Sequence, residues 1–166
     1  MNDLKNVSKI KKKIKPIFWL KSERDVEKMF TEGWCFDFAY HYNKYINSDT
    51  NIKLLFQLFN DEGEFYFDLI HAFIELKNWK YIDVEGILNK DKLNSKYIKI
   101  KGIWDSTEDT PYDIFIINLN NIYKIDNQEY FINLDFILNL EPYCKNYINI
   151  LGIESEKYEN IWENML

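Results

Sequence analysis

A chain of 166 residues that is 46% hydrophobic and 17% aromatic has the length for one domain with a substantial core, and it is too apolar to be disordered. Charged residues make up 29%, and no apolar run approaches the roughly 20 residues that a membrane-spanning helix needs. The net charge of −6 is unevenly spread, because Lys5, Lys9, Lys11, Lys12, Lys13 and Lys15 stand against Asp3 in residues 1–16 and leave about −11 for the remainder. An acidic body argues against general nucleic-acid binding, which depends on neutralising phosphates.

Residues 1–16 read as a basic N-terminal arm, poorly ordered or partly helical, most simply a frayed and solvated head, ahead of a single domain over residues 17–166. The other role for such an arm is to hold nucleic acid or anionic lipid. Pro16-Ile17-Phe18-Trp19-Leu20 is too short an apolar run for a signal peptide. Ser22-Glu23-Arg24-Asp25 has the form of a capping box and predicts a short helix burying Val26, Met29 and Phe30, with Gly33 past its end. The next helix is expected from Trp34 or Cys35 to about Ile46, since Cys35, Phe38, Ala39 and Tyr42 recur on one helical face. His41 falls well round from Cys35 and reads as a surface residue. Strands follow over 53–59, 64–76 and 79–84, with turns at Asn60-Asp61-Glu62-Gly63 and Lys77-Asn78, giving an antiparallel meander. Further on, 90–93 reads as a helical turn, 97–103 as a strand, 104–110 as a polar loop, 112–119 as a strand and 123–132 as a hairpin about Asp126-Asn127. A helix begins at Leu134 and is broken or kinked by Pro142, with Cys144 as a core residue. The last helix, 154–166, is expected to turn Tyr158, Ile161, Trp162 and Met165 inward.

Three stretches carry candidate chemistry. Gly33-Trp34-Cys35-Phe36-Asp37-Phe38-Ala39 sets a cysteine in the first turn of a helix, where the macrodipole favours a thiolate. Ile70-His71-Ala72-Phe73-Ile74-Glu75 carries a histidine on a strand. Tyr81-Ile82-Asp83-Val84-Glu85-Gly86 carries an aspartate between apolar neighbours, where a carboxylate is disfavoured without a partner. In this order the three blocks resemble the papain-like superfamily, among its small bacterial and phage members and the NlpC/P60- and transglutaminase-like domains. The resemblance covers about a third of the chain. It implies an α+β fold in which a Cys-bearing helix packs on an antiparallel sheet.

The resemblance further implies a cysteine-dependent amide hydrolase or acyl transferase of peptidase, amidase, deamidase or transglutaminase type. Cys35 would be the nucleophile, His71 the base, and Asp83 the group that orients His71. The Cys35 backbone N–H would stabilise the oxyanion, with Trp34 or a loop group as the second donor. A protein or peptide-like substrate follows, with no cofactor, no metal ligand set, and the cytoplasm as the default compartment for a thiol that must stay reduced. The sequence departs from the family pattern in one place: no Gln precedes Cys35 to serve the oxyanion hole. That departure favours the competing reading, a catalytically inert interaction domain of immunity, adaptor or phage accessory type. The bland reading of Cys35 is a core cysteine, and that of His71 a histidine satisfied within a strand. A Cys-His-Asp triad also sets a condition on register. His71 and Asp83 must share a sheet face, which an odd-length connection pairing His71 with Asp83 provides. In that register Phe67, Leu69, His71 and Phe73 face the Cys35 helix.

Overall fold

The computed structural model describes residues 2–62, 64–77, 80–93, 95–96, 113–125, 127–140 and 157–165. Its first element is helical, one of the two forms expected of residues 1–16, and it is packed rather than frayed and solvated. Residues Asn2–Ile17 form helix α1, and Val7, Ile10 and Ile14, spaced three and four apart on one face, are buried in the main core. The lysines lie off that stripe and several are engaged. Lys9 Nζ donates to the Met165 carbonyl at 2.6 Å, Lys13 Nζ to the Asn164 carbonyl at 2.9 Å, and Lys11 Nζ pairs with Glu27 at 2.6 Å. Two lysines thus meet carbonyls at the C-terminal end of the last helix, where the backbone carries partial negative charge.

Helix α2 (Glu23–Thr31) opens with the expected capping box: Asp25 N donates to Ser22 Oγ at 3.2 Å, and Ser22 N donates to Asp25 Oδ2 at 2.8 Å. Gly33, at φ 135°, turns the chain into α3 (Cys35–His41), whose last turn loosens into a π-type turn over Tyr42–Ile46. Helices α4 (Lys90–Leu93) and α5 (Leu134–Leu140) are short, and α6 spans 157–163.

Among the described residues, five antiparallel strands form the sheet, in the order β4-β3-β2-β1-β5: β1 Asn51–Asp61, β2 Glu64–Glu75, β3 Tyr81–Asp83, β4 Gly86–Leu88 and β5 Asp113–Asn118. A separate ribbon pairs β6 (Asn121–Ile125) with β7 (Gln128–Ile132). The fold is α+β. One sheet face carries Leu54, Phe56, Leu69, Ala72, Ile74 and Ile82 into the main core with α1, α2, α3 and α6. The other face carries Leu55, Ile70, Phe73 and Leu88 into a smaller cluster with Leu93. The alternation of β2 is broken once. Leu55 pairs with His71 and Phe56 with Leu69, so Ile70 is an extra residue, a β-bulge. The expected strand 97–103, the loop 104–110, the break at Pro142 and the core placement of Cys144 lie outside the described residues. No helix among the described residues is long and apolar enough to cross a membrane.

Candidate functional site

The connection from β2 to β3 decides how His71 and Asp83 meet. Glu75 pairs with Tyr81 and Ile74 with Ile82, and Leu76 N donates to the Lys80 carbonyl at 2.8 Å across the connection 76–80. The connection has an odd length, but the register differs by two residues from the expected pairing of His71 with Asp83. Continued by one step, it sets Asp83 level with Phe73. A two-residue offset preserves the face, because side chains alternate with period two. His71 and Asp83 are therefore diagonal neighbours, with His71 Nε2 and Asp83 Oδ2 3.2 Å apart.

Both side chains are buried, His71 at 0% and Asp83 at 1% exposure. Asp83 Oδ1 also accepts from Glu85 N at 2.8 Å, within the two-residue turn Val84-Glu85 that Gly86 closes at φ 113°. Glu85 in turn pairs with Lys92 at 3.5 Å and with Lys96. The His71 ring stacks on Phe73, with centroids 6.0 Å apart. Burial pulls the His71 pKa below its ordinary value and outweighs the opposing pull of Asp83. The imidazole is neutral near neutral pH. Because a carboxylate only accepts, the proton sits on Nε2 and is donated to Asp83.

Cys35 belongs to the other side of the sheet. It is the first residue of α3, 7% exposed, and joins the core containing Phe36, Phe38, Ala39, Ala72 and Ile74. His71 immediately precedes Ala72 in β2, so the two side chains point to opposite faces. Its partner Leu55 and its stacking neighbour Phe73 lie in the smaller cluster on the far face. The sheet stands between His71 and Cys35. Phe67 and Leu69 lie on the main-core face of the sheet, the face on which α3 packs, whereas Phe73 and, by alternation, His71 do not. The bulge at Ile70 is the cause: it reverses the phase of the strand between Leu69 and His71. Trp34 is also committed elsewhere, since its backbone N–H donates to the Met29 carbonyl at 3.3 Å and ties α3 to α2.

A second histidine site is only partly legible in the sequence. His41, expected at the surface, is 5% exposed. Its Nδ1 lies 3.2 Å from Asp37 Oδ1 and 2.9 Å from the Asp37 carbonyl, and its Nε2 lies 3.2 Å from Glu159 Oε1. Tyr158 OH donates to Asp37, and Tyr45 OH to Glu159. The His41 ring is stacked between Trp162, at 5.4 Å, and Tyr45, at 5.9 Å. Burial alone would depress the His41 pKa, but Asp37 and Glu159 outweigh it and raise the pKa above its ordinary value. This is a charged clamp that fastens α6 to α3. Part of its signature was on the sequence, as Asp37 and His41 are spaced i,i+4 on one helix. Glu159 is 118 residues further on. Among the described residues, no group of three or more His, Cys, Asp and Glu is arranged to hold a metal ion.

No protein-family model matches this chain, and neither the curated proteins nor the solved structures contain a match.

Proposed function

We propose that this chain is an interaction domain on a papain-like scaffold, one that binds a protein partner without cleaving it. The observation that carries this reading is the separation of Cys35 and His71 by the sheet. An imidazole must come within hydrogen-bond reach of a thiol to activate it. Here the imidazole is turned to the opposite face and held there by Asp83. The surface supports a binding role. Ile122 and Phe131 pair across the β6–β7 ribbon and are 63% and 50% exposed, an apolar spot on an otherwise acidic chain.

A second reading has its own support, namely the hydrogen bond by which Asp83 orients His71, which is the carboxylate's part in a triad. In that reading the Cys35 thiolate attacks an amide carbonyl, the Cys35 N–H stabilises the oxyanion, and His71 protonates the leaving amine. It requires His71 to cross to the α3 face, which means rebuilding β2 around Ile70.

Iodoacetamide labelling of Cys35 as a function of pH separates the two. The interaction-domain reading predicts slow labelling whose rate rises through the ordinary thiol range near ~8.5. Fast labelling that persists well below that range, together with an amide-cleaving activity lost in Cys35→Ser, would overturn it.

A further inference from the structure

Trp19 breaks two rules at once. It is 82% exposed, and its backbone sits in the left-handed region at φ 49°. The reason for that backbone conformation is the end of α1. Leu20 N donates to the Lys15 carbonyl at 2.9 Å and Trp19 N to the Pro16 carbonyl at 3.4 Å, the paired bonds of a Schellman cap. The position between them is normally glycine, because a Cβ is strained there. A bulky aromatic at such a position, pushed into water, is an outlier that points outward to a function.

What lies beside it is a groove of about 500 Å³ between the α1–α2 connection and α2. Trp19 itself forms part of its apolar lining together with Leu20, Met29 and Trp34, and the Trp34 ring is fixed edge-on against Phe18 at 5.7 Å. The rim is formed by Lys21, Asp25, Lys28 and Glu32, alternating in sign at steps of four, three and four residues. That stripe has no net charge and complements its own reverse. Knob and groove occupy the same patch, as a two-fold interface requires.

We propose that this patch is the contact surface of a symmetric homodimer, in which Trp19 of each copy seats in the groove of the other. Charge supports a second copy as the occupant. Paired about a two-fold axis, the stripe sets Lys21 against Glu32 and Asp25 against Lys28 of the other copy, opposite charges at each step. An exposed aromatic anchor beside a pre-formed apolar pocket is the arrangement typical of binding hot spots. Two tryptophans bury about 150–250 Å² each, which together is well short of a standard interface, so the association is weak, in the micromolar range. The inference goes beyond the interaction-domain reading and does not depend on the state of Cys35.

Sedimentation velocity on the full chain tests it, over concentrations from about 1 to 500 μM, which bracket a micromolar constant. The expected result is a reversible rise from the 20.2 kDa monomer towards twice that mass. Trp19→Ala should remain monomeric throughout with an unchanged far-ultraviolet circular dichroism spectrum. Trp19→Gly should also be monomeric, and should melt at a higher temperature than Trp19→Ala because glycine relaxes the left-handed position. A wild-type chain that stays monomeric at every concentration would overturn the proposal and leave the groove to a side chain of another protein. A dimer that persists undiminished in Trp19→Ala would overturn it too.

Discussion

Asp83→Ala is the most informative single change in the fold. The Asp83 carboxylate, 1% exposed, accepts from His71 at 3.2 Å and from the Glu85 backbone at 2.8 Å. Hydrogen bonds to a charged group contribute about 1.5–3 kcal/mol each, and breaking a buried pair by removing one partner costs about 3–5 kcal/mol. His71 is neutral, so the pair is a charge-assisted hydrogen bond and not a full ion pair. The expected cost is about 3–4 kcal/mol, a large share of the 5–15 kcal/mol typical of a domain. At ~2–4 °C per kcal/mol for a chain of this size, the Tm should fall by about 6–16 °C. Asp83→Asn, which keeps an acceptor for Glu85 N, should cost about half as much. Urea unfolding of the wild type, Asp83→Ala, His71→Leu and the double variant closes a cycle. A coupling of at least ~1 kcal/mol is expected for two groups in direct contact. Additive effects, or an Asp83→Ala protein within ~0.5 kcal/mol of wild type, would refute the pairing.

Stability should pass through a maximum near neutrality, since the two histidines oppose each other. His41 has a raised folded pKa, so its contribution is complete below the ordinary value of 6.5 and is lost as pH climbs through the raised value; His71 has a lowered one, so its contribution is lost as pH falls below 6.5. Urea melts from pH 5 to pH 9 should show both limbs, and His41→Phe should flatten the alkaline limb alone; an unchanged alkaline limb would contradict the clamp. Deleting residues 1–15 removes buried Val7, Ile10 and Ile14, about 1.5–3 kcal/mol each, and should abolish cooperative unfolding; a sharp melt by calorimetry would mean that α1 is dispensable. Deleting Ile70 alone should be tolerated at about 1.5–3 kcal/mol, because it restores regular alternation between Leu69 and His71 and forfeits only the burial of Ile70; loss of folding would show that the bulge itself is required.

The local signals in the sequence were legible because their physics is local. Ser22 and Asp25 are three residues apart and form their capping box within one turn. The meander and the β6–β7 ribbon follow from short connections between β-rich runs. The bulge at Ile70 left no such mark. Leu69-Ile70-His71-Ala72-Phe73 is apolar on both faces, so period-two alternation cannot fix its phase, and no glycine announces the extra residue. That single residue decides whether His71 faces α3. The register after Glu75 was two residues off because the connection 76–80 carries no strong turn signature. At the basic head, charge count alone leaves helix and frayed arm both open, and three apolar residues at helical spacing outweigh six lysines that can reach water or carbonyl groups. His41 was hidden because its outer partners come from α6.

The central claim is that Cys35 and His71 lie on opposite faces of the sheet. Nitrogen NMR of the His71 ring at pH 7, in the wild type and in Cys35→Ser, tests it most directly. The account predicts a neutral ring protonated on Nε2 in both proteins, with the same shifts, because the Cys35 thiol lies across the sheet from the imidazole. An imidazolium in the wild type that becomes neutral in Cys35→Ser would reveal a thiolate–imidazolium pair and contradict the account.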